Sequence, residues 1–281
     1  MEIAKTIAPF CLIIIMFGLG LGLTVADFKR LTKYPGDFIV GFFGQVILLP
    51  IVAFILIHII SLPPELALGT MLIAAVPGGV MSNILTKFAN GDVALSVSLT
   101  AIISLISVIT VPFIIFNSAG FLDIEIGKEI SMLNISLKMF VAVTVPVTLG
   151  MIVRALMSDF IVSKTLLVQR LSLILFLIVF AAIWIEEWDK ITSFIQRAGL
   201  IALVLNLTMI FLGYYLAKFL ASGVAQRKCI SLECGLQNGT LALFVGTQLF
   251  DNVVFMVPTA AYALIMFSTA TIFVLIVRKI N

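Results

Sequence analysis

Residues 75–83 (AVPGGVMSN) place a proline and two glycines in the middle of a long apolar stretch, and a serine and an asparagine follow them. Residues 233–240 (ECGLQNGT) repeat this arrangement inside a second apolar stretch. Proline removes a helical hydrogen bond, and glycine weakens a helix through its backbone freedom. Each stretch is therefore predicted to form a helix that is broken near its middle and carries polar groups at the break.

The composition of the whole chain indicates the class of protein in which these breaks occur. The protein has 281 residues, of which 62% are apolar and 11% charged, and its mean hydropathy is +1.26. Soluble domains have roughly 45–50% apolar and about 25% charged residues. A single core buries only about three quarters of a chain's surface. This composition excludes soluble enzymes and nucleic-acid binders and predicts a polytopic membrane protein.

The predicted fold is all-α, with about nine transmembrane helices. A spanning helix needs about 20 apolar residues, whereas a membrane barrel would show alternating segments of about 10 residues. Glycines at positions 18, 20 and 22 predict close packing of the first helix. The predicted spans are residues 5–26, 38–60, 66–89, 92–117, 130–155, 166–187, 197–220, 226–248 and 253–277.

The basic residues predict the orientation of these spans. Alternate connections place twelve of the 17 Lys and Arg residues on one side and five on the other. Basic residues accumulate on the cytoplasmic side. We therefore expect an outer N-terminus and a cytoplasmic C-terminus, in a multi-pass protein of a bacterial inner membrane.

The two interrupted spans occupy corresponding places in two halves of the chain. Gln45 and Asn206 are each a lone amide in the apolar span that precedes an interruption. Spans 1–4 therefore correspond to spans 6–9, and the first repeat lacks its first helix. Repeats with an odd number of spans insert in opposite orientations, and paired interrupted helices in inverted repeats are typical of the binding site of a secondary transporter.

Glu233 is the acidic residue predicted to lie deep in a span. A charged side chain at the bilayer centre costs about 2.5–3.5 kcal/mol on insertion scales and usually marks a functional site. Broken helices also free backbone carbonyl groups, and hard cations such as Na⁺ prefer oxygen ligands. Ser96 and Thr100 are four residues apart and share one helical face. Further oxygens come from Ser82, Asn83 and the amides of Gln45 and Gln237.

These motifs together resemble the bile acid:sodium symporter family. The resemblance rests on residues 77–83 (PGGVMSN) and 233–238 (ECGLQN), includes residues 90–96 (NGDVALS), and runs over nearly the whole chain. The absence of a first helix is similar to the nine-span members of the family. The resemblance implies that the two broken helices cross each other. It also implies a panel domain from about residues 1–35 and 130–190, and a core domain from about 36–120 and 195–278.

The resemblance further implies two Na⁺ sites and a substrate site. In the first Na⁺ site the implied ligands are Ser82, Asn83, Ser96, Thr100 and Glu233. In the second they are Gln45, Glu233, Gln237 and the backbone carbonyls of Cys234 and Leu236. The implied substrate contacts are Gly79, Val80, Asn238 and Gly239. Some relatives carry hydroxyl residues where this chain has Val80 and Gly239, so the polar contacts to substrate are fewer here.

The predicted function is therefore sodium-coupled symport of a small-molecule organic anion by alternating access, without enzymatic activity. The surrounding lipid is its partner, and no nucleic acid or obligate protein partner is predicted. The alternatives are a proton-coupled organic-anion carrier, in which Glu233 relays the proton, and a channel. An intramembrane enzyme is disfavoured because the chain has one histidine and no cluster of aspartates to hold a metal.

Overall fold

The computed structural model describes residues 2–33, 35–127, 129–186 and 188–280, and helices account for nearly all of their regular structure. Two π-helical segments, Phe43–Leu48 and Phe140–Thr144, join helices into continuous rods, and the 3₁₀ turn Val253–Met256 leads into the last helix. The helices are α1 (Glu2–Leu21), α2 (Val25–Lys33), α3 (Pro35–Phe42), α4 (Leu49–Ile59), α5 (Pro64–Ala75), α6 (Val80–Phe88), α7 (Val93–Phe121), α8 (Met132–Met139), α9 (Val145–Leu156), α10 (Ser158–Glu186), α11 (Trp188–Leu220), α12 (Val224–Gly235), α13 (Gly239–Leu249) and α14 (Val257–Val277).

The helices confirm the prediction of an all-α polytopic membrane protein. Five uninterrupted helical stretches within the described residues are long and apolar enough to cross a bilayer, and the two broken helices lie between them in the chain. The five stretches are Pro35–Ile59, Val93–Phe121, Met132–Leu156, Thr192–Leu220 and Val253–Val277.

Several helix ends differ from the predicted spans. Helices α10 and α11 begin eight or nine residues before the apolar segments that predicted them, because polar residues extend a helix beyond its apolar part. The first helix ends at Leu21 rather than at residue 26. The Asp27 carboxylate accepts hydrogen bonds from the backbone N–H and the hydroxyl of Thr24, at 2.7 and 2.8 Å. This capping contact starts the short helix α2 as a separate element.

Both predicted interruptions are present, and they cross each other. Residues 76–79 separate α5 from α6, and residues 236–238 separate α12 from α13. At the crossing, Gly78 and Gln237 form an isolated antiparallel bridge, and the backbone N–H of Asn238 donates to the carbonyl of Pro77 at 2.8 Å. The extended backbone at each break finds part of its hydrogen bonding in the other break.

A polar corner ties the first broken helix to the start of the second. Asp92 accepts a hydrogen bond from Leu95 N at 3.0 Å and so caps α7. Its second carboxylate oxygen accepts from Gln226 Nε2 at 2.9 Å, and its own N–H donates to Ala225 O at 3.0 Å. The loop between α6 and α7 is thereby fixed against the first turn of α12.

The glycines of α1 pack against neighbouring helices, as the sequence predicts for Gly18 and Gly20. A Cβ atom on Gly20 would lie 2.1 Å from Val147 O of α9, and one on Gly18 would lie 3.0 Å from the Val168 side chain of α10. On the facing helix, a Cβ on Gly150 would lie 2.3 Å from Phe17 O. Helices α1 and α9 therefore touch backbone to backbone.

We expect Gly20→Ala to separate α1 from α9 and to destabilise the protein by about 1–3 kcal/mol, which is typical of overpacking. Gly199→Ala is the control, because nothing lies within 4 Å of a Cβ at that position. Thermal melting of the two purified variants tests this. Equal melting temperatures for Gly20→Ala, Gly199→Ala and the wild type would show that the two helices are not in backbone contact.

Candidate functional site

The crossing of the two broken helices surrounds one buried carboxylate. Glu233 lies in the last turn of α12 and is 0% exposed. The first turn of α6 presents Ser82 and Asn83, and one face of α7 presents Ser96 and Thr100. Gln45 reaches the same place from the π-helical segment between α3 and α4. Three parts of the chain besides α12 therefore bring polar side chains to Glu233.

Hydroxyl groups cover one side of the carboxylate. Ser82 Oγ and Ser96 Oγ both donate to Glu233 Oε1, and Thr100 Oγ1 lies 3.2 Å from each carboxylate oxygen. Asn83 Oδ1 lies 2.8 Å from Ser96 Oγ. On this side of Glu233, three helices bring together oxygen atoms from five side chains, including Glu233 itself.

Amide groups cover the other side. Gln45 Nε2 donates to Glu233 Oε2 at 2.9 Å and to the carbonyl of Glu233 at 2.6 Å. Gln237 Nε2 donates to the carbonyl of Cys234 at 3.0 Å. The Oε1 atoms of Gln45 and Gln237 are buried and have no hydrogen-bond partner. A buried acceptor without a partner is unfavourable by about 1–3 kcal/mol, so these two oxygens are free to bind a positively charged ligand.

The donor set fits a hard cation. The groups that converge are carboxylate, hydroxyl, amide and backbone oxygens, which are the ligands that hard metal ions prefer. All the side-chain ligands implied for the first Na⁺ site lie together. Of those implied for the second, Gln45 contacts the other carboxylate oxygen, and Gln237 contacts the backbone carbonyls of Glu233 and Cys234. The structure thus brings the predicted residues together, while their role as ligands stays a prediction.

The implied substrate contacts line one cleft beside the crossing. Gly79, Val80, Asn238 and Gly239 face a cavity of about 50 Å³, whose walls include Phe176 of α10 and Phe267 of α14. Helices α6 and α13 both begin at this cleft. Asn238 Oδ1 accepts a hydrogen bond from Leu241 N at 3.0 Å and so caps α13. The oxygen of this side chain is already used, which leaves its amide N–H groups as possible donors to a ligand.

Three residues lie next to the site in roles that the sequence does not predict, namely Asn206, Tyr262 and Thr269. The carbonyl of Gly235 accepts hydrogen bonds from Asn206 Nδ2 at 2.7 Å and from Tyr262 OH at 3.0 Å, and Thr269 Oγ1 lies 2.5 Å from Asn206 Oδ1. The sequence marks Asn206 as the counterpart of Gln45 but does not show what it binds. Tyr262 and Thr269 carry no signal, because single tyrosines and threonines are common in apolar spans.

Oxygen ligands gathered at the crossing of two broken membrane helices are typical of a secondary transporter. The comparison with known proteins identifies the family. The Sodium Bile acid symporter family matches residues 9–194, and the chain belongs to it. The chain is therefore a multi-pass membrane transporter of a sodium-coupled family and not an enzyme, as the sequence predicts.

Relatives extend the similarity over most of the chain. The uncharacterized sodium-dependent transporter YocS of Bacillus subtilis is 30% identical over 251 residues, which cover 89% of this chain and 76% of YocS. The probable chloroplastic sodium/metabolite cotransporter BASS1 of Arabidopsis thaliana is 28% identical, with 89% of this chain and 61% of that protein covered. The ileal sodium/bile acid cotransporter of Cricetulus griseus is 24% identical, with 91% and 74% covered.

Gly78 leaves the space in which Glu233 and Gln45 meet. A Cβ atom on Gly78 would lie 2.6 Å from Glu233 Oε2 and 2.9 Å from Gln45 Nε2. We expect Gly78→Ala to displace the carboxylate and to destabilise the protein by about 1–3 kcal/mol. Thermal melting of the purified variant measures this.

Gly79→Ala is the matched control for this prediction. Its new Cβ would have Gln237 O as nearest neighbour at 3.4 Å, and Gly79 has an extended backbone that alanine adopts readily, with φ −101° and ψ 161°. A Gly78→Ala variant as stable as Gly79→Ala would contradict the close contact at the crossing.

Proposed function

We propose that the protein is a sodium-coupled symporter of a small organic anion and that Na⁺ binds around Glu233. The single observation that carries the proposal is the burial of this carboxylate among hydrogen-bond donors from three other parts of the chain. A buried carboxylate needs a compensating charge or several hydrogen-bond donors. A cation that enters from one side of the membrane would supply this charge. Its gradient across the membrane would then determine whether the site is occupied.

The first proposed Na⁺ site lies between α6, α7 and α12. Its ligands are the side-chain oxygens of Ser82, Asn83, Ser96, Thr100 and Glu233. In the described structure the three hydroxyl oxygens lie within hydrogen-bond distance of Glu233. Rotation of these hydroxyl groups would present their lone pairs to a cation without any movement of the backbone, because a hydroxyl oxygen is both donor and acceptor.

The second proposed Na⁺ site lies on the Gln45 side of the carboxylate. Its ligands are oxygens of Gln45, Glu233 and Gln237 and the carbonyls of Cys234 and Leu236. The unpartnered Oε1 atoms of the two glutamines support this assignment. Two Na⁺ ions, with one glutamate and one monoanionic substrate, would leave the site electrically neutral.

The proposed substrate is an organic anion that binds in the cleft lined by Gly79, Val80, Asn238 and Gly239. The N-termini of α6 and α13 open onto this cleft, and the unpaired N–H groups and positive dipole of a helix N-terminus favour an anion. The aromatic and aliphatic walls around Phe176, Phe267 and Met266 would contact the apolar part of the substrate.

The proposed mechanism is alternating access between two groups of helices. Helices α1, α9 and α10 contact one another, and α11, α12 and α14 form a second group of strongly contacting helices. This grouping supports a panel domain of about residues 1–35 and 130–190 and a core domain of about 36–120 and 195–278. The proposed substrate cleft lies where α10 of the proposed panel domain faces α13 and α14 of the proposed core domain.

We also propose that the protein lies in a bacterial inner membrane with its N-terminus outside and its C-terminus in the cytoplasm. The unequal distribution of Lys and Arg between alternate connections supports this orientation.

Na⁺ should stabilise the purified protein more than K⁺ at matched ionic strength, because a ligand that binds the folded state stabilises it by mass action. Glu233→Gln should abolish this difference. Ser96→Ala should raise the Na⁺ concentration that gives half of the stabilisation by about tenfold, which corresponds to about 1.4 kcal/mol. Thermal melting over a series of Na⁺ concentrations measures both effects.

Two control variants separate ion binding from general stability. Glu125→Gln changes an exposed acid, and Ser98→Ala removes a buried α7 hydroxyl that bonds Asp27 O and Ala94 O at 2.9 and 2.8 Å. Both should keep the Na⁺ dependence of the wild type.

If the wild type ignores Na⁺, and uptake into proteoliposomes instead follows an imposed pH gradient, Glu233 serves proton coupling and the sodium proposal is wrong. A steady ionic current without substrate would indicate a channel.

A further inference from the structure

A second buried polar cluster lies beside the proposed ion sites, on the opposite side of the broken helix α12. It consists of Asn206 on α11 and of Tyr262 and Thr269 on α14, which we name the Gly235 clamp because two of its members bind the carbonyl of Gly235. Asn206 and Tyr262 are 0% and 1% exposed. The sodium proposal uses none of these three side chains.

The orientation of the Asn206 amide follows from its partners. The carbonyl of Gly235 can only accept a hydrogen bond, so the nitrogen of the amide must face it at 2.7 Å. The amide oxygen then faces Thr269 Oγ1 at 2.5 Å. Tyr262 OH adds a second donor to the same carbonyl at 3.0 Å. The clamp therefore satisfies both acceptor positions of one carbonyl oxygen.

Close packing keeps this contact short. A Cβ on Gly235 would lie 2.5 Å from the Ile210 side chain of α11, and Ser231 Oγ donates to the carbonyl of Ile210 at 2.6 Å. Helix α12 is thus pressed against α11 over its last two turns. The peptide that follows Gly235 has little freedom to rotate.

The backbone carbonyl groups at the end of α12 have hydrogen-bond partners on both sides of the break. Gln45 binds the carbonyl of Glu233, Gln237 binds that of Cys234, and the clamp binds that of Gly235. The bridge between Gly78 and Gln237 sets the carbonyl of Leu236 opposite the backbone N–H of Gly79. Among the described residues, no side chain donates to the Leu236 carbonyl. A carbonyl oxygen has two acceptor positions, so this one can still bind a ligand.

The carbonyl of Leu236 borders the proposed second ion site. Leu236 is extended, with φ −109° and ψ 113°, and successive peptide groups of an extended chain point in opposite directions. Since Gly235 O is held towards α11 and α14, Leu236 O turns towards the crossing. A Cβ on Gly78 would be 3.5 Å from Leu236 O and 2.6 Å from Glu233 Oε2, so both oxygens border the same small space.

We propose that Asn206, Tyr262 and Thr269 are positioning residues for Na⁺ coupling. By fixing the Gly235 peptide, they aim Leu236 O into the space beside Glu233 and Gln45. This inference rests on the proposed function, because it assigns the clamp to the second Na⁺ site. It predicts that the affinity for Na⁺ depends on three side chains that touch no ion.

Tyr262→Phe removes one donor to Gly235 O and keeps the ring, and Thr269→Val removes the hydroxyl that faces Asn206 and keeps the side-chain shape. Each variant should raise the half-saturating Na⁺ concentration for thermal stabilisation by about three- to tenfold, because a carbonyl that is free to rotate is a poorer ligand than one held in place. The titration uses NaCl against KCl at constant ionic strength, with no substrate present.

Matched controls make the same chemical changes elsewhere on the two helices. Tyr214→Phe changes a tyrosine of α11 that makes an edge-on ring contact with Phe273, and Thr271→Val changes an exposed threonine of α14 whose hydroxyl bonds Phe267 O of the same helix. Both should keep the half-saturating Na⁺ concentration of the wild type within twofold.

The outcomes separate the clamp from the proposed function. If the clamp variants lower the melting temperature equally in NaCl and KCl and leave the half-saturating Na⁺ concentration unchanged, the clamp is purely structural and the inference is overturned. If one variant fails to fold, the other decides the question. If wild-type protein shows no Na⁺-specific stabilisation, the sodium proposal itself fails, and the role of the clamp fails with it.

Discussion

A carboxylate enclosed by membrane helices must be surrounded by donors or by positive charge, because hydrocarbon offers neither. Glu233 meets this requirement with hydroxyl groups from α6 and α7 on one side and the Gln45 amide on the other. No single helix could supply groups in all these directions. The two broken helices must therefore cross at this point, and Gly78 must lack a side chain so that they can approach. The cleft lies beside this crossing, where α6 and α13 begin.

Backbone carbonyl groups, as well as side chains, build the polar surroundings of the crossing. Ending α12 at Gly235 frees a row of carbonyls, and the two amides at corresponding positions of the predicted repeats, Gln45 and Asn206, bind this same helix end from opposite sides. Related sequence positions are thus used differently. The Gln45 amide lies beside Glu233 in the proposed ion site, and the Asn206 amide holds the carbonyl of Gly235 on the side of α11. Internal repetition of the sequence does not require that equivalent residues have equivalent partners.

The sequence predicts much of the site because polar residues in apolar stretches are unfavourable and therefore conspicuous. The interruptions after Ala75 and Gly235, the buried Glu233 and the shared face of Ser96 and Thr100 are all visible in this way. Helix ends are predicted less well, since the polar first turns of α10 and α11 look like loops in a hydropathy pattern. The clamp could not be predicted. Its contacts join Tyr262 to a residue 27 positions away and Thr269 to one 63 positions away, and only the packing of α11 against α12 and α14 brings them together.

The hydrogen bonds at the crossing also determine where the protein can deform. The bridge between Gly78 and Gln237, the contact from Asn238 N to Pro77 O and the ties at Asp92 join the two broken helices into one mechanical unit. Directional bonds resist shear, whereas apolar surfaces slide past each other with little change in energy. Across the cleft, Phe176 meets Phe267 through an edge-on ring contact at 5.8 Å. In the proposed mechanism the two groups of helices would move past each other along these rings, and the crossing, with its proposed ion sites, would move as one rigid unit.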